Sequence, residues 1–228
     1  MEGLLPAATP ALNGFDIATF HEWSKDVGGD YYDFIPLGNE RWGVVIADVE
    51  GNGMAAALLV SAIRASLISL AGLELALRAI FRRANGFFCH STQNDRYVTV
   101  FYGVLDVPQR RLIYVNAGHL PAILVRSTGT IERLEEGGLP LGLFEDPRYY
   151  EGFARLETGD ALALYTDGIT EAVDASDEPY GLERLCRTLQ DARAGTAAAI
   201  CRAVVDDVGR FAGDRRADDE TLVVLKAI

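Results

Sequence analysis

The sequence predicts an α+β domain in which antiparallel sheet is covered on the outside by helices, and three observations predict it. Runs with period-two alternation stand at both ends of the chain and in its middle, and they bracket helix-patterned pairs. Strands and helices do not alternate one for one, which separates the chain from a βαβ nucleotide fold. Its 228 residues are 49% hydrophobic with 8 prolines, enough to bury a substantial core as a single domain over residues 1–228.

The elements follow in order. Alternation gives a first strand from Phe15 to Phe20, then Tyr31 to Leu37 and Arg41 to Ala47 as a hairpin around Gly38-Asn39. Counting outward from that turn, with Leu37 opposite Glu40, places Asp30 opposite Ala47 and within one residue of Asp48. Gly51-Asn52-Gly53 breaks the strand, and helices are expected from Met54 to about Leu70 and from Leu73 to about Phe88. Tyr97 to Asp106, Arg111 to Asn116, Ala122 to Arg126 and Thr130 to Leu134 read as a meander punctuated by turn residues. A loop from Gly137 to Asp146 leads to a strand pair ending in Ala161 to Tyr165. Helices from about Tyr180 to Leu189 and Thr196 to Phe211 precede the final strand, Thr221 to Lys226.

Composition excludes several classes of function. The net charge is −12, from 33 acidic and 21 basic residues, so the long-range field opposes nucleic acid and anionic membrane. Cys89, Cys186 and Cys201 are odd in number and form no Cys-x-x-Cys pair, which suits a reducing cytosol. The most apolar stretch, Met54 to Leu73, is interrupted by Arg64 and three serines and reads as a buried helix rather than a membrane span. No basic-then-apolar leader pattern precedes it. The expected location is the cytoplasm. No nucleophile elbow, P-loop, dinucleotide fingerprint or zinc spacing is present.

Four acids stand out. Asp30, Asp48, Asp167 and Asp218 each flank an apolar strand-like run beside glycine or another acid. Asp30 and Asp218 precede their strands while Asp48 and Asp167 follow theirs, so antiparallel pairing allows all four to reach one sheet edge. Taken singly, each is an ordinary turn or cap residue. Gathered without a cation, two carboxylates 4 Å apart repel by about 1 kcal/mol in water and about 4 at an effective dielectric of 20. Oxygen donors without a His or Cys pattern favour Mg²⁺ or Mn²⁺ over zinc.

The motifs in order are LLP at Leu4 to Pro6, VGGDYYDF at Val27 to Phe34, IADVEGNG at Ile46 to Gly53, YVTVFYGVLD at Tyr97 to Asp106, YVNAGH at Tyr114 to His119, LPLGL at Leu139 to Leu143, LYTDGITEA at Leu164 to Ala172, and ADDETL at Ala217 to Leu222. Together they resemble the metal-dependent, PPM-type serine/threonine protein phosphatases, in the bacterial SpoIIE/RsbU branch. The resemblance implies a four-layer αββα fold, an antiparallel β-sandwich flanked by helices, and two Mn²⁺ or Mg²⁺ ions. It makes Asp48 the carboxylate bridging both ions, and with metal-bound water the catalytic group. It also implies the Val49 backbone carbonyl, Asp30, Asp167 and Asp218 as ligands, with Asp219 in support. Lys25 is the nearest candidate for holding substrate phosphate, although a solvated surface lysine is the plainer reading. His119 and Glu171 read as a turn residue and a local cap.

What the resemblance implies about function is hydrolysis of phosphoserine or phosphothreonine on a protein, an anti-sigma-factor antagonist of a partner-switching circuit. It implies an upstream sensor or regulator, leaves a homodimer open, and leaves open whether the chain is a piece of a longer sensor protein. Two departures count against turnover, Glu50 where small residues are usual and Asn52 where His or Lys is common; Glu220, in the place of an apolar residue, is a third departure with no mechanism assigned to it. The alternative is a catalytically impaired phosphoprotein-binding module of the same fold. Gly28-Gly29-Asp30 with Phe34 also bears a superficial likeness to a diguanylate cyclase hairpin, but a βαβ context is absent and only 27 residues precede Gly28.

Overall fold

The computed structural model describes residues 4–24, 28–51, 53–71, 76–91, 96–213, 215 and 218–228. Within them the chain is α+β, with a six-stranded and a five-stranded sheet, and it divides into two compact units. Unit 1 comprises residues 1–7, 27–121 and 135–155, and unit 2 comprises 8–26, 122–134 and 156–228.

The strands of unit 1 are β2 (Tyr31–Pro36), β3 (Arg41–Val49), β4 (Val98–Asp106), β5 (Arg111–Ala117), β8 (Gly137–Gly138) and β9 (Gly152–Arg155). They run in the order β2-β3-β4-β5-β8, with β9 also paired to β5. All pairings are antiparallel except the two-residue β5–β8 contact. Helices α1 (Gly53–Ala71) and α2 (Leu77–Ser91) supply the other half of its core. Val60, Ile63 and Leu67 of α1 and Phe81 and Phe88 of α2 are wholly buried with Val45, Ala47, Val100 and Val115 from the strands. Each such side chain contributes about 1.5–3 kcal/mol of burial. α1 is long and apolar enough to cross a membrane, with a mean hydropathy of 1.8 over Gly53–Leu70. One stripe of it, Ala56, Val60, Ile63 and Leu67, is buried in the core of unit 1, while 28% of that window is buried in all and Met54, Leu58 and Ile68 are exposed.

Unit 2 pairs its strands in the order β1 (Phe15–Glu22), β11 (Glu220–Ala227), β10 (Ala161–Tyr165), β6 (Ala122–Val125) and β7 (Ile131–Leu134), all antiparallel. Its helices are α3 (Asp167–Thr170), α4 (Leu182–Ala192) and α5 (Ala197–Ala212), and α5 packs on β1 and β11. The Thr196 side chain caps α5 by accepting from the Ala199 N–H at 3.2 Å. Asp207 of α5 accepts from Tyr180 Oη at 2.8 Å and from both Arg184 Nε and Nη2 at 2.9 and 3.0 Å, tying it to α4.

Several expectations are corrected. The meander is split: β4 and β5 belong to one sheet and β6 and β7 to the other. Between them Gly118 takes φ +69° against Pro140, where a Cβ would lie 2.4 Å from the ring, and the chain leaves β5 there. Alternation reports which face is buried, not which sheet a strand joins. The strand pair before Asp167 is likewise divided, since β9 pairs with β5 and β10 with β6 and β11. The second helix runs from Leu77 to Ser91, and its expected start at Leu73 lies outside the described residues. α4 starts at Leu182 because Gly181, at φ +77°, is its N-cap. The loop from Gly137 to Asp146 contains β8, and the one-turn α3 was not expected.

Candidate metal centre

Asp30 and Asp48 stand at the ends of β2 and β3. Leu37 N–H donates to the Arg41 carbonyl at 2.9 Å and Arg41 N–H to that of Gly38 at 3.0 Å, so Leu37 lies opposite Arg41 and the loop holds three residues. Gly38, Asn39 and Glu40 all take positive φ, at 76°, 51° and 55°. The count from a two-residue turn is therefore off by one. Tyr31 faces Ala47, and the next step places Asp30 directly opposite Asp48.

The backbone beside them is tightly held. Val49 N–H donates to the Gly29 carbonyl at 3.2 Å. A Cβ on Gly29 would lie 2.6 Å from the Val49 carbonyl oxygen and 3.4 Å from Asp48 Oδ1. Only glycine leaves that oxygen free of the segment ahead of Asp30. Thr99, opposite Asp48 on β4, donates from Oγ1 to the Asp48 carbonyl at 3.3 Å and lies 2.9 Å from His119 Nδ1. His119 is buried, and its N–H donates to Asn116 Oδ1 at 2.8 Å, the turn role expected of it. Asp30 is also buried, at 2% exposure. The sequence reading missed Thr99 and Gly29; the signal for Gly29 was the Gly28-Gly29 pair ahead of Asp30.

In unit 2, Asp167 opens α3 at the end of β10. Thr166 fixes the entry: its N–H donates to the Thr221 carbonyl at 3.1 Å and its Oγ1 accepts from the Thr221 N–H at 3.0 Å. A Cβ on Gly168 would lie 2.0 Å from the Asp219 carbonyl oxygen, so this turn and the start of β11 touch backbone to backbone. Burial, reinforced by the charges of Asp218 and Glu171, pushes the Asp167 carboxyl up to about 6. Asp218 is exposed and accepts the Asp219 N–H on Oδ1 at 2.8 Å. Asp219 is buried, and its Oδ1 accepts from Ser24 N–H and Oγ at 2.9 and 3.0 Å. Burial lowers His21 to about 4 against the charges of Asp219 and Glu22, so the ring is neutral at pH 7. Glu171 is the C-cap of α3, donating its N–H to the Asp167 carbonyl at 2.7 Å.

The acids thus flank two sheets, not one sheet edge. Within each unit they form a pair, Asp30 with Asp48 and Asp167 with Asp218. Among the described residues no three His, Cys, Asp or Glu side chains form a group able to hold an ion by themselves. The donor set fits a hard divalent cation: it is all oxygen, and at Asp167 a desolvated carboxyl faces a second acid, the situation a cation relieves. Lys25 and Asn52 lie outside the described residues. Glu50 is exposed, with its N–H on the Tyr97 carbonyl at 3.1 Å, and Glu220 is buried opposite Glu22.

This fold is that of the PP2C, or PPM-type, phosphatase domains. The solved RsbU and RsbW domains of Rv1364c from Mycobacterium tuberculosis superpose with a TM-score of 0.83 at 24% identity, over 99% of this chain and 64% of that one. The catalytic domain of the serine/threonine phosphatase PstP, solved with two manganese ions, gives 0.67 at 17% identity, over 93% and 97%. Residues 38–228 match the Stage II sporulation protein E family, and the chain belongs to that SpoIIE family. It is 29% identical over 226 residues to the phosphoserine phosphatase RsbU of Bacillus subtilis, covering 98% of this chain and 66% of RsbU. Across the first three curated relatives the chain spans between 40% and 66% of their length.

Proposed function

We propose that this chain is a metal-dependent phosphoprotein phosphatase that removes phosphate from phosphoserine or phosphothreonine. The observation that carries the reading is the direct opposition of Asp30 and Asp48 beside a Val49 carbonyl kept clear by Gly29, in a chain of the SpoIIE family. Asp48, Asp30, the Val49 carbonyl, Asp167 and Asp218 would hold Mn²⁺ or Mg²⁺, two ions in all, with Asp219 in support. When bound, the ions supply Lewis-acid activation of water and neutralise charge on the phosphoryl oxygens.

The chain's own residues do the positioning. Asp48 would serve as a ligand, and Thr99 fixes its backbone while His119 fixes Thr99. Thr166 and Gly168 set the direction in which Asp167 leaves β10. Asp219 stays in support because of its place in the family motif, and Ser24 donates to one of its oxygens.

The substrate is a phosphorylated anti-sigma-factor antagonist in a sigma-factor circuit, the reading supported by the likeness to RsbU and to the RsbU–RsbW pairing in Rv1364c. The two units act as one phosphatase domain in the cytoplasm, under an upstream regulator, and a homodimer suits that control. Nucleic acid and membrane are not partners, in line with the −12 charge.

The test is Mn²⁺-dependent hydrolysis of a generic aryl phosphate by the wild type and by Asp48→Asn and Asp218→Asn. Turnover in the wild type with loss in both variants supports the enzyme. Equal rates in all three remove it, and phosphoprotein binding without phosphate release assigns the chain to the impaired class that Glu50 and Asn52 suggest.

A further inference from the structure

One surface of unit 1 is unlike the rest of a chain with 12 excess negative charges. A cavity of about 420 Å³ lies between the first half of α2 and residues 146–150, and Arg78, Arg82, Arg148 and Tyr150 line it with Asp146. Arg78 and Arg82 are four residues apart on α2, where like charges destabilise a helix. Arg78 also sits in the first turn, at the positive end of the helix dipole, and that turn holds no acid. Glu151 Oε1 accepts the Arg78 backbone N–H at 3.2 Å. Even so, none of the three guanidinium groups makes an ion pair among the described residues. Arg64, Arg126 and Arg184 do, with Asp33, Asp160 and Asp207.

Exposed aromatic groups lie in and beyond this cavity, Tyr150 in its lining and Phe153 in that of a separate cavity with Gln109, Arg111 and Arg155. Tyr150 is 57% exposed and Phe153, three residues on, is 65% exposed. Phe153 belongs to β9, whose one partner strand among the described residues is β5, so β9 presents an open edge. Arginine with exposed aromatic anchors beside an open edge is the chemistry of peptide recognition, in which an added strand is held by backbone and side-chain contacts together. The patch is separated from the acid pair across the sheet: the Arg148–Tyr149 backbone lies against Gly138, which pairs with Ala117, and the row continues through Val100 to Ala47 beside Asp48, three strand spacings or about 14 Å away.

We propose that Arg78, Arg82 and Arg148, with Tyr150, form a docking site for an acidic segment of the phosphoprotein substrate, separate from the carboxylates that do the chemistry. The charge of the patch selects the occupant, and calling its owner the substrate rests on the phosphatase reading. The site contributes to KM on the protein substrate and nothing to a small phosphate ester.

The probe is a fluorescent acidic dodecapeptide carrying one phenylalanine, followed by anisotropy at low and high salt. It is compared on the wild type, Asp48→Asn, the Arg78→Ala/Arg82→Ala/Arg148→Ala variant and the single Arg148→Ala variant, with aryl phosphate hydrolysis as the control for folding. The triple variant is expected to bind the peptide about tenfold or more weakly while its hydrolysis stays within about twofold of wild type. Arg148→Ala should fall between, and Asp48→Asn should bind as the wild type does. Equal binding by wild type and triple variant overturns the proposal. So does equal binding of a peptide with Gln in place of each Glu, or a dimer that dissociates in the triple variant with no peptide bound, which gives the surface to a second copy of the chain. A wild type that binds peptide but hydrolyses no aryl phosphate removes the proposed function and leaves the docking site standing.

Discussion

Asp30 and Asp48 are 18 positions apart and meet because one hairpin sets their register; Asp167 and Asp218 are 51 apart and come into electrostatic reach only when β10 and β11 pair. The first pair leans on backbone geometry, with Gly29 and Thr99 holding the Asp48–Val49 segment. The second leans on a backbone contact, Gly168 against the Asp219 carbonyl, and on desolvation that raises Asp167. One pair is therefore assembled locally, and the other is a product of long-range pairing. Errors in the two should show differently, the first in metal geometry and the second in folding.

The largest effect expected is on chemistry. Asp48→Asn and Asp167→Asn should each lower kcat on an aryl phosphate by at least about a hundredfold, because each removes a carboxylate proposed as a metal ligand. If only one of them does so, the two pairs do not serve the same reaction. Steady-state assays with saturating Mn²⁺ decide it.

Stability comes next. Gly168→Ala places a methyl group 2.0 Å from a backbone oxygen and should destabilise by about 3 kcal/mol, whereas Gly29→Ala, at 2.6 Å, should cost about 2. Urea midpoints at constant m measure both. Gly29→Ala should also weaken Mn²⁺ binding more than its stability loss suggests, since the group it crowds is the Val49 carbonyl. A reversed order would show the hairpin to be the more rigid of the two.

The smallest effect concerns how unit 2 holds its helices. Arg184, then Tyr180 and Thr188, hold the Asp207 carboxyl well below the usual carboxylate range. Its folded pKa lies below its unfolded one, so its contribution is fully present above about pH 4 and is lost as pH falls through the folded value. Asp207→Asn should therefore cost about 1 kcal/mol at pH 7, with the gap from wild type narrowing in acid. Thermal unfolding at pH 7 and pH 3 checks the sign: a gap that widens in acid contradicts it.

Legibility in the sequence followed the same division. The hairpin, α1, α5 and the last strand were readable because alternation, Gly-rich turns and the Thr196 cap act over a few residues. The Asp30–Asp48 neighbourhood was readable to within one position, and the miss came from Glu40 adopting positive φ, a conformation that a glutamate does not advertise. The split of the meander at Gly118 and the separation of β9 from β10 were hidden, since a buried strand carries the same pattern in either sheet. Asp167 and Asp218 were picked out singly by their motifs, but nothing local says that they approach each other. Thr99 and Ser24 act by hydrogen bonds to residues distant in sequence, and no composition marks them.

The proposal on which the rest depends is that each acid pair binds divalent cation. Calorimetric titration of Mn²⁺ into the wild type, Asp48→Asn and Asp167→Asn tests it most directly. The account predicts two ions bound by the wild type, and a lost or at least about tenfold weakened ion in each variant, one from each pair. Mn²⁺ stoichiometry and affinity unchanged in either variant would contradict it.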